Sequence, residues 1–144
     1  MSSAFIHHSK FISHDVKNGL KFAMCLEKYF MMTHKDLEVW KVSRHYVSEI
    51  YKLTSLFPNE EIYGLTSQIR RSAISIPSNI AEGCGRRSNK ELIQFLYIAI
   101  GSLSELETQL LISFDLGFCS LEDCNLDILV SIRRMLLGLI KAVS

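Results

Sequence analysis

Four serines crowd one short stretch, Ser67, Ser72, Ser75 and Ser78, with Glu82 close behind them. A serine becomes a nucleophile only beside a base that takes its proton, and that base needs a group to orient it. No histidine lies in the stretch; His34 and His45 belong to an earlier element. Glu105 and Glu107 stand two apart, which on a helix sends them to different faces and denies them work as a carboxylate pair. Glu82 and Glu91 are separated by a loop. There is no HExxH, no Glu-x-x-His of the di-iron bundles, no Walker loop and no dinucleotide fingerprint. Gly83-Cys84-Gly85 ends a predicted helix instead of opening one after a strand, so it is a poor phosphate cradle. The expectation is a protein that is not an enzyme and uses no cofactor. The alternative is a hydrolase built from the Ser and Glu residues of this helix, for which Ser75→Ala would abolish turnover of esterase or phosphatase substrates.

Metal and redox chemistry fare no better. Cys25, Cys84, Cys119 and Cys124 contain no CxxC pair and have no histidine at ligand spacing. They read as reduced thiols of a cytoplasmic protein. His7, His8 and His14 share their spacing with no acid or cysteine, so no metal is expected.

The informative polar residues are the small ones. Gln68, Ser72, Ser75, Asn79 and Glu82 recur by four, three, four and three, forming one helical stripe opposite a line of isoleucines. Exposed helix faces favour long charged side chains, so a Ser/Asn line is expected at a close-packed subunit contact, ahead of a ligand surface. Arg70 and Arg71 flank it, and Arg86, Arg87 and Lys90 gather at the following loop and helix start. Those five are the candidate nucleic-acid contacts, and at Arg86, Arg87 and Lys90 the open amides of the helix start add to a field that attracts phosphate. Binding driven by phosphate should weaken steeply with salt.

Four helices must position these groups, over about 34–57, 60–83, 89–116 and 121–143. The first carries Leu37, Trp40, Val47, Ile50 and Phe57 at helical spacing, with Thr33 as its cap and Pro58 as its stop. The second carries Ile62, Leu65, Ile69, Ala73, Ile76 and Ile80 as a core seam, with a kink or local loosening at Pro77 and Gly83 as its left-handed cap. The third opens on the capping box Ser88-Asn89-Lys90-Glu91 and continues as Leu92, Leu96, Ala99, Leu103, Leu106 and Leu110. A second apolar line on it, Ile93, Ile100, Leu111 and Phe114, exceeds what one core needs and suggests burial against another chain. Gly101, costly in mid-helix, fits either close approach of a neighbouring helix there or tolerated drift. Gly117 ends this helix, and Ser120 caps the fourth, which carries Leu129, Ile132, Leu136, Leu139 and Val143. Short connections make this an all-α, antiparallel, up-down-up-down bundle. The expected subunit interface is the polar stripe together with Ile93, Ile100 and Gly101.

Composition agrees with one helical domain: 144 residues, 48% hydrophobic, with 2 prolines and 7 glycines. Sixteen Lys and Arg against 15 Asp and Glu exclude a strongly basic nucleic-acid binder. No run approaches the roughly 20 uninterrupted apolar residues of a membrane span. No secretory signal is recognisable either, so the cytoplasm is expected. Residues 1–32 differ in character and are expected to be a weakly structured leader, outside the native product if Met32 is the true start. An intact mass that includes Phe5–Met31 would overturn that. Residues 33–144, the expected bundle, count 12 basic and 13 acidic side chains, a net of −1.

Lys35-Asp36-Leu37-Glu38-Val39-Trp40, Tyr51-Lys52-Leu53-Thr54, Phe57-Pro58 and Tyr63-Gly64-Leu65 resemble the opening of the four-helix bundle proteins encoded in 23S rRNA intervening sequences. The most specific stretch runs Gln68-Ile69-Arg70-Arg71-Ser72-Ala73-Ile74-Ser75-Ile76-Pro77-Ser78-Asn79-Ile80-Ala81-Glu82-Gly83. Gly101-Ser102-Leu103 and Glu105-Leu106-Glu107-Thr108-Gln109-Leu110 extend the resemblance, which covers roughly residues 33–142. That family is similar to the accessory variability protein of diversity-generating retroelements. The resemblance implies a ring-shaped homopentamer of four-helix bundles that serves as a scaffold or accessory factor for rRNA intervening sequences or mobile elements. The retroelement accessory protein is strongly basic and binds nucleic acid. This bundle departs from it in being nearly neutral, so RNA or DNA would have to be met by a local patch.

Overall fold

Isoleucine and leucine at three- and four-residue spacing are what hold the chain together. In a computed structural model describing residues 33–144, Ile69, Ala73, Ile76 and Ile80 meet Leu96, Ala99, Leu103, Leu106 and Leu110, all of them buried. Five helices carry this core: α1 Glu38–Thr54, α2 Leu65–Cys84, α3 Asn89–Asp115, the single turn α4 Leu121–Cys124, and α5 Leu126–Val143. Two 3-10 turns, His34–Asp36 and Asn59–Glu61, precede α1 and α2. The four long helices form the bundle, with α2 packed between α1 and α3, and α5 against α3 and α1. The expected leader, 1–32, lies outside the described residues.

The ends of the elements differ from the sequence expectation in instructive ways. Helix α1 is capped by Leu37 without a side-chain hydrogen bond, and Thr33 lies before the 3-10 turn. Ile62 precedes α2 and is exposed instead of joining the seam. Pro77 is buried within α2, which continues through it as one element. Gly83 is not a cap. The helix passes through it to Cys84, and Gly85 ends it in right-handed geometry. A Cβ on Gly83 would stand 2.9 Å from Phe95 Cβ and 3.0 Å from Leu92 Cδ1. Glycine is needed there because α2 and α3 close together at their hairpin.

Helix α3 starts as expected, with Ser88 Oγ accepting from the Glu91 amide. It ends in a Schellman motif: Phe118 N donates to Ser113 O and Gly117 N to Phe114 O, with Gly117 at φ +76°. By length and composition alone α3 is apolar enough to cross a membrane, a test that the central helix of a bundle also passes. Isolated polar residues interrupt its apolar run, which is why no uninterrupted span is visible in the sequence.

The fourth predicted helix is two. Ser120 and Asp123 form a full capping box around α4, and those hydrogen bonds hold the Asp123 carboxyl below its ordinary range. Asn125 then takes left-handed geometry, φ +46°, and breaks the helix before α5. Asparagine is among the few non-glycine residues that adopt this conformation readily. The corner is tied to α1 by the Tyr46 hydroxyl, which donates to the Cys124 carbonyl at 2.6 Å. Phe57 packs its ring on Phe118 at the same end.

Candidate functional site

The small polar stripe of α2 faces α3 of its own chain. Ser72 is buried, with its Oγ 2.8 Å from Gln109 Oε1 and 3.0 Å from the Ile69 carbonyl. Gln109 in turn donates to Glu105 Oε1 at 3.0 Å. Further along, Asn79 Nδ2 donates to Ser75 Oγ at 2.9 Å, Ser75 and Ser102 share a 2.8 Å bond, and Ser102 reaches the Ile98 carbonyl at 3.1 Å. The run is self-consistent when each hydroxyl accepts from the side before it and donates to the next. Hydroxyls bring two helices closer than leucines would, and this line leads directly to the tight contact at Gly83. The stripe therefore has a use within one chain, which corrects the premise on which it was assigned to a subunit contact. Its ends, Gln68 and Glu82, are exposed.

The second apolar line of α3 divides. Ile93 and Ile100 are partly buried and pack on the chain's own core. Leu111 and Phe114 remain exposed. Tyr97, Ile98 and Ile112, which sequence reasoning missed, are exposed as well, at 56%, 50% and 42%. On the same outward face a Cβ on Gly101 would meet nothing within 4 Å among the described residues, so none of the described helices approaches it. The signal that could have found this face is the adjacent pairs Tyr97-Ile98 and Leu111-Ile112, four turns apart on one side of a helix.

The five basic candidates separate into two places. Arg86 pairs with Glu82 and lies over the Phe95 ring, 4.6 Å from its centroid. Arg87 and Lys90 are exposed beside it. Arg70 and Arg71 belong instead to a cleft of about 460 Å³ at the start of α2, lined also by Tyr51, Ile62, Tyr63 and Ile74. Arg70 is fixed there by its Nε bond to Thr54 Oγ1 at 2.8 Å and by its position 4.7 Å from the centroid of the Tyr51 ring. Arg71 is exposed and has no ion-pair partner among the described residues. No single basic patch unites all five.

No serine meets a histidine among the described residues, and the hydroxyl–carboxylate contacts of Ser88 with Glu91 and Ser120 with Asp123 belong to helix caps. Ser78 donates to the Ile74 carbonyl, Ser72 and Ser75 serve the α2–α3 contact, and Glu82 is held by Arg86. His34 stacks edge-on to Trp40, and His45 lies 3.4 Å from Glu49 on α1. Among the described residues no three His, Cys, Asp or Glu side chains converge as metal ligands. The thiols of Cys119 and Cys124 do meet, with 3.3 Å between sulfurs. Burial pushes the Cys124 thiol up to about 12, helped by Cys119, and burial also raises Cys84.

The family model described as 23S rRNA-intervening sequence protein matches residues 35–138 of the chain. No curated protein matches it.

Proposed function

Because the chain belongs to the 23S rRNA-intervening sequence protein family, we propose that it is a non-enzymatic, homo-oligomeric scaffold or accessory protein, a pentameric ring, working in the cytoplasm with rRNA intervening sequences or mobile elements. One observation carries the assembly reading: the outward face of α3, where two apolar pairs, Tyr97-Ile98 and Leu111-Ile112, stand exposed on either side of a stretch of small and polar residues that includes the open Gly101. Single exposed apolar residues are ordinary, but adjacent pairs repeated on one face of a helix support a surface that another molecule covers.

Light scattering at micromolar concentration tests the assembly, with a mass several times that of one chain expected and a monomer overturning it. RNA or DNA contact is the finer reading, and Arg87 and Lys90 beside the α2–α3 loop are its support. Binding to a structured RNA should fall steeply from low to physiological salt and be lost when Arg86, Arg87 and Lys90 are changed to Ala. Absent or salt-independent binding would remove nucleic acid from the proposal.

A further inference from the structure

Two recesses at the same end of the bundle are complementary in charge. The first is the cleft of Arg70 and Arg71, whose lining contains no acid. The second, about 330 Å³, lies where α4 meets α5 and is lined by Leu121, Glu122, Asn125, Leu126 and Asp127, with no base. Glu122 and Asp127 have no ion-pair partner among the described residues, and neither does Arg71. Each recess also carries an apolar side chain standing out at its rim: Tyr63, 97% exposed, at the first and Leu121, 45% exposed, at the second. Each therefore offers both a hole and a knob.

Their placement makes the match repeatable. Both lie at the end of the bundle where Phe57 meets Phe118. Helices α2 and α5 occupy opposite corners, since each packs chiefly on α1 and α3. By helical spacing Arg71 lies opposite the α2 core seam and Asp127 opposite the α5 seam of Leu129, Ile132 and Leu136. The two side chains thus leave the bundle on opposite sides. A contact between unlike surfaces of identical chains is head-to-tail, and it closes into a ring when the rotation between copies permits.

Resting on the homo-oligomeric reading above, we propose that the occupant of the Arg70–Arg71 cleft is the α4–α5 corner of a second copy. Arg71 faces Glu122 and Asp127 across the contact, Tyr63 fills the acidic recess, and Leu121 fills the basic one. This contact turns either α1 or α3 toward the ring axis. Helix α1 exposes Glu38, Lys41, Arg44, His45 and Lys52, whereas α3 exposes Tyr97, Ile98, Leu111 and Ile112. The apolar α3 face therefore turns inward, where neighbouring copies cover it, and the charged α1 face meets solvent.

Charge reversal at the two exposed positions tests the contact, with circular dichroism confirming the fold of each variant. Arg71→Glu alone and Asp127→Lys alone should each weaken association at least tenfold by concentration-dependent light scattering. The double variant, which restores opposite charges at every contact, should recover most of the wild-type mass. Tyr63→Ala should weaken association without any change of charge. Wild-type mass retained by both single variants would overturn this contact and leave the oligomer reading standing. A monomeric wild-type chain would overturn both. Retained mass together with lost binding of a single-stranded RNA oligomer in Arg71→Glu would give the cleft to nucleic acid instead, and so overturn the proposal.

Discussion

The Tyr46 hydroxyl reaches across 78 residues of chain to the Cys124 carbonyl. Burial holds this phenol well above its ordinary titration range, with the charges of Cys124 and Glu49 adding to the shift. The neutral, donating form is thus the one the fold favours. Since the folded-state value is raised, its contribution is complete below the unfolded phenol value of about 10 and declines as pH rises above it. Tyr46→Phe should cost about 1–3 kcal/mol at neutral pH by leaving a buried carbonyl unpaired. It should also flatten the alkaline fall of stability, as read from urea midpoints between pH 8 and 11. An unchanged alkaline limb would show that another group controls it. The neighbouring thiols give a second test. With Cys124 buried and pushed up to about 12, little thiolate exists at pH 8, whereas Cys119 is half-buried. Iodoacetamide at pH 8 should label Cys119 well before Cys124 in peptide mass maps, because the thiolate is the reactive form. Equal labelling rates would mean that the α4 corner opens readily.

Two glycines on neighbouring helices should respond oppositely to the same substitution. In Gly83→Ala the new methyl collides with Phe95 Cβ, an atom fixed to its own backbone. Overpacking of about 1–3 kcal/mol outweighs the roughly 1 kcal/mol that alanine gains in a helix. Gly101→Ala meets nothing among the described residues, so the monomer should gain the full propensity difference of about 1 kcal/mol. Urea unfolding of both variants checks the signs, and a stabilised Gly83→Ala would refute the close approach of α2 and α3. The helices themselves were legible because the seams Ile69–Ile80 and Leu96–Leu110 repeat at helical period whatever lies opposite them. What lies opposite was not. Ser72 and Gln109 are 37 residues apart, and nothing local in either predicts the 2.8 Å bond between them. The same limit placed Gly83 at a helix end, since a glycine at a cap and a glycine at a crossing look alike in sequence. Asn125 was missed for a different reason: Leu121, Leu129 and Ile132 keep a helical period across it, so the break leaves no mark on the apolar pattern.

At the scale of the whole molecule, the nearly balanced charge of residues 33–144 decides what kind of association to expect. A net of −1 neither repels a second copy strongly nor draws in a polyanion from a distance. Local matches of shape and sign must do the selecting. The basic cleft, the acidic corner and the apolar α3 face are surfaces with unmet chemistry among the described residues, and the proposed ring would satisfy all three at once. The α3 face should then be sensitive to charge in proportion to the number of copies, because each subunit contributes one charge near a common axis. Leu111 and Ile112 are 40% and 42% exposed in the single chain, so lysine at either position can extend into solvent without disturbing the core. Leu111→Lys and Ile112→Lys should therefore leave the helical circular dichroism unchanged while reducing the mass measured by light scattering. Raising salt to 1 M, which shortens the screening length to about 3 Å, should partly restore that mass by damping repulsion between like charges. The same salt should weaken the proposed wild-type contact between Arg71 and Asp127. Opposite salt responses of the two proteins would separate an axis-facing α3 from one merely exposed on the outside, where lysine would change neither the mass nor its dependence on salt.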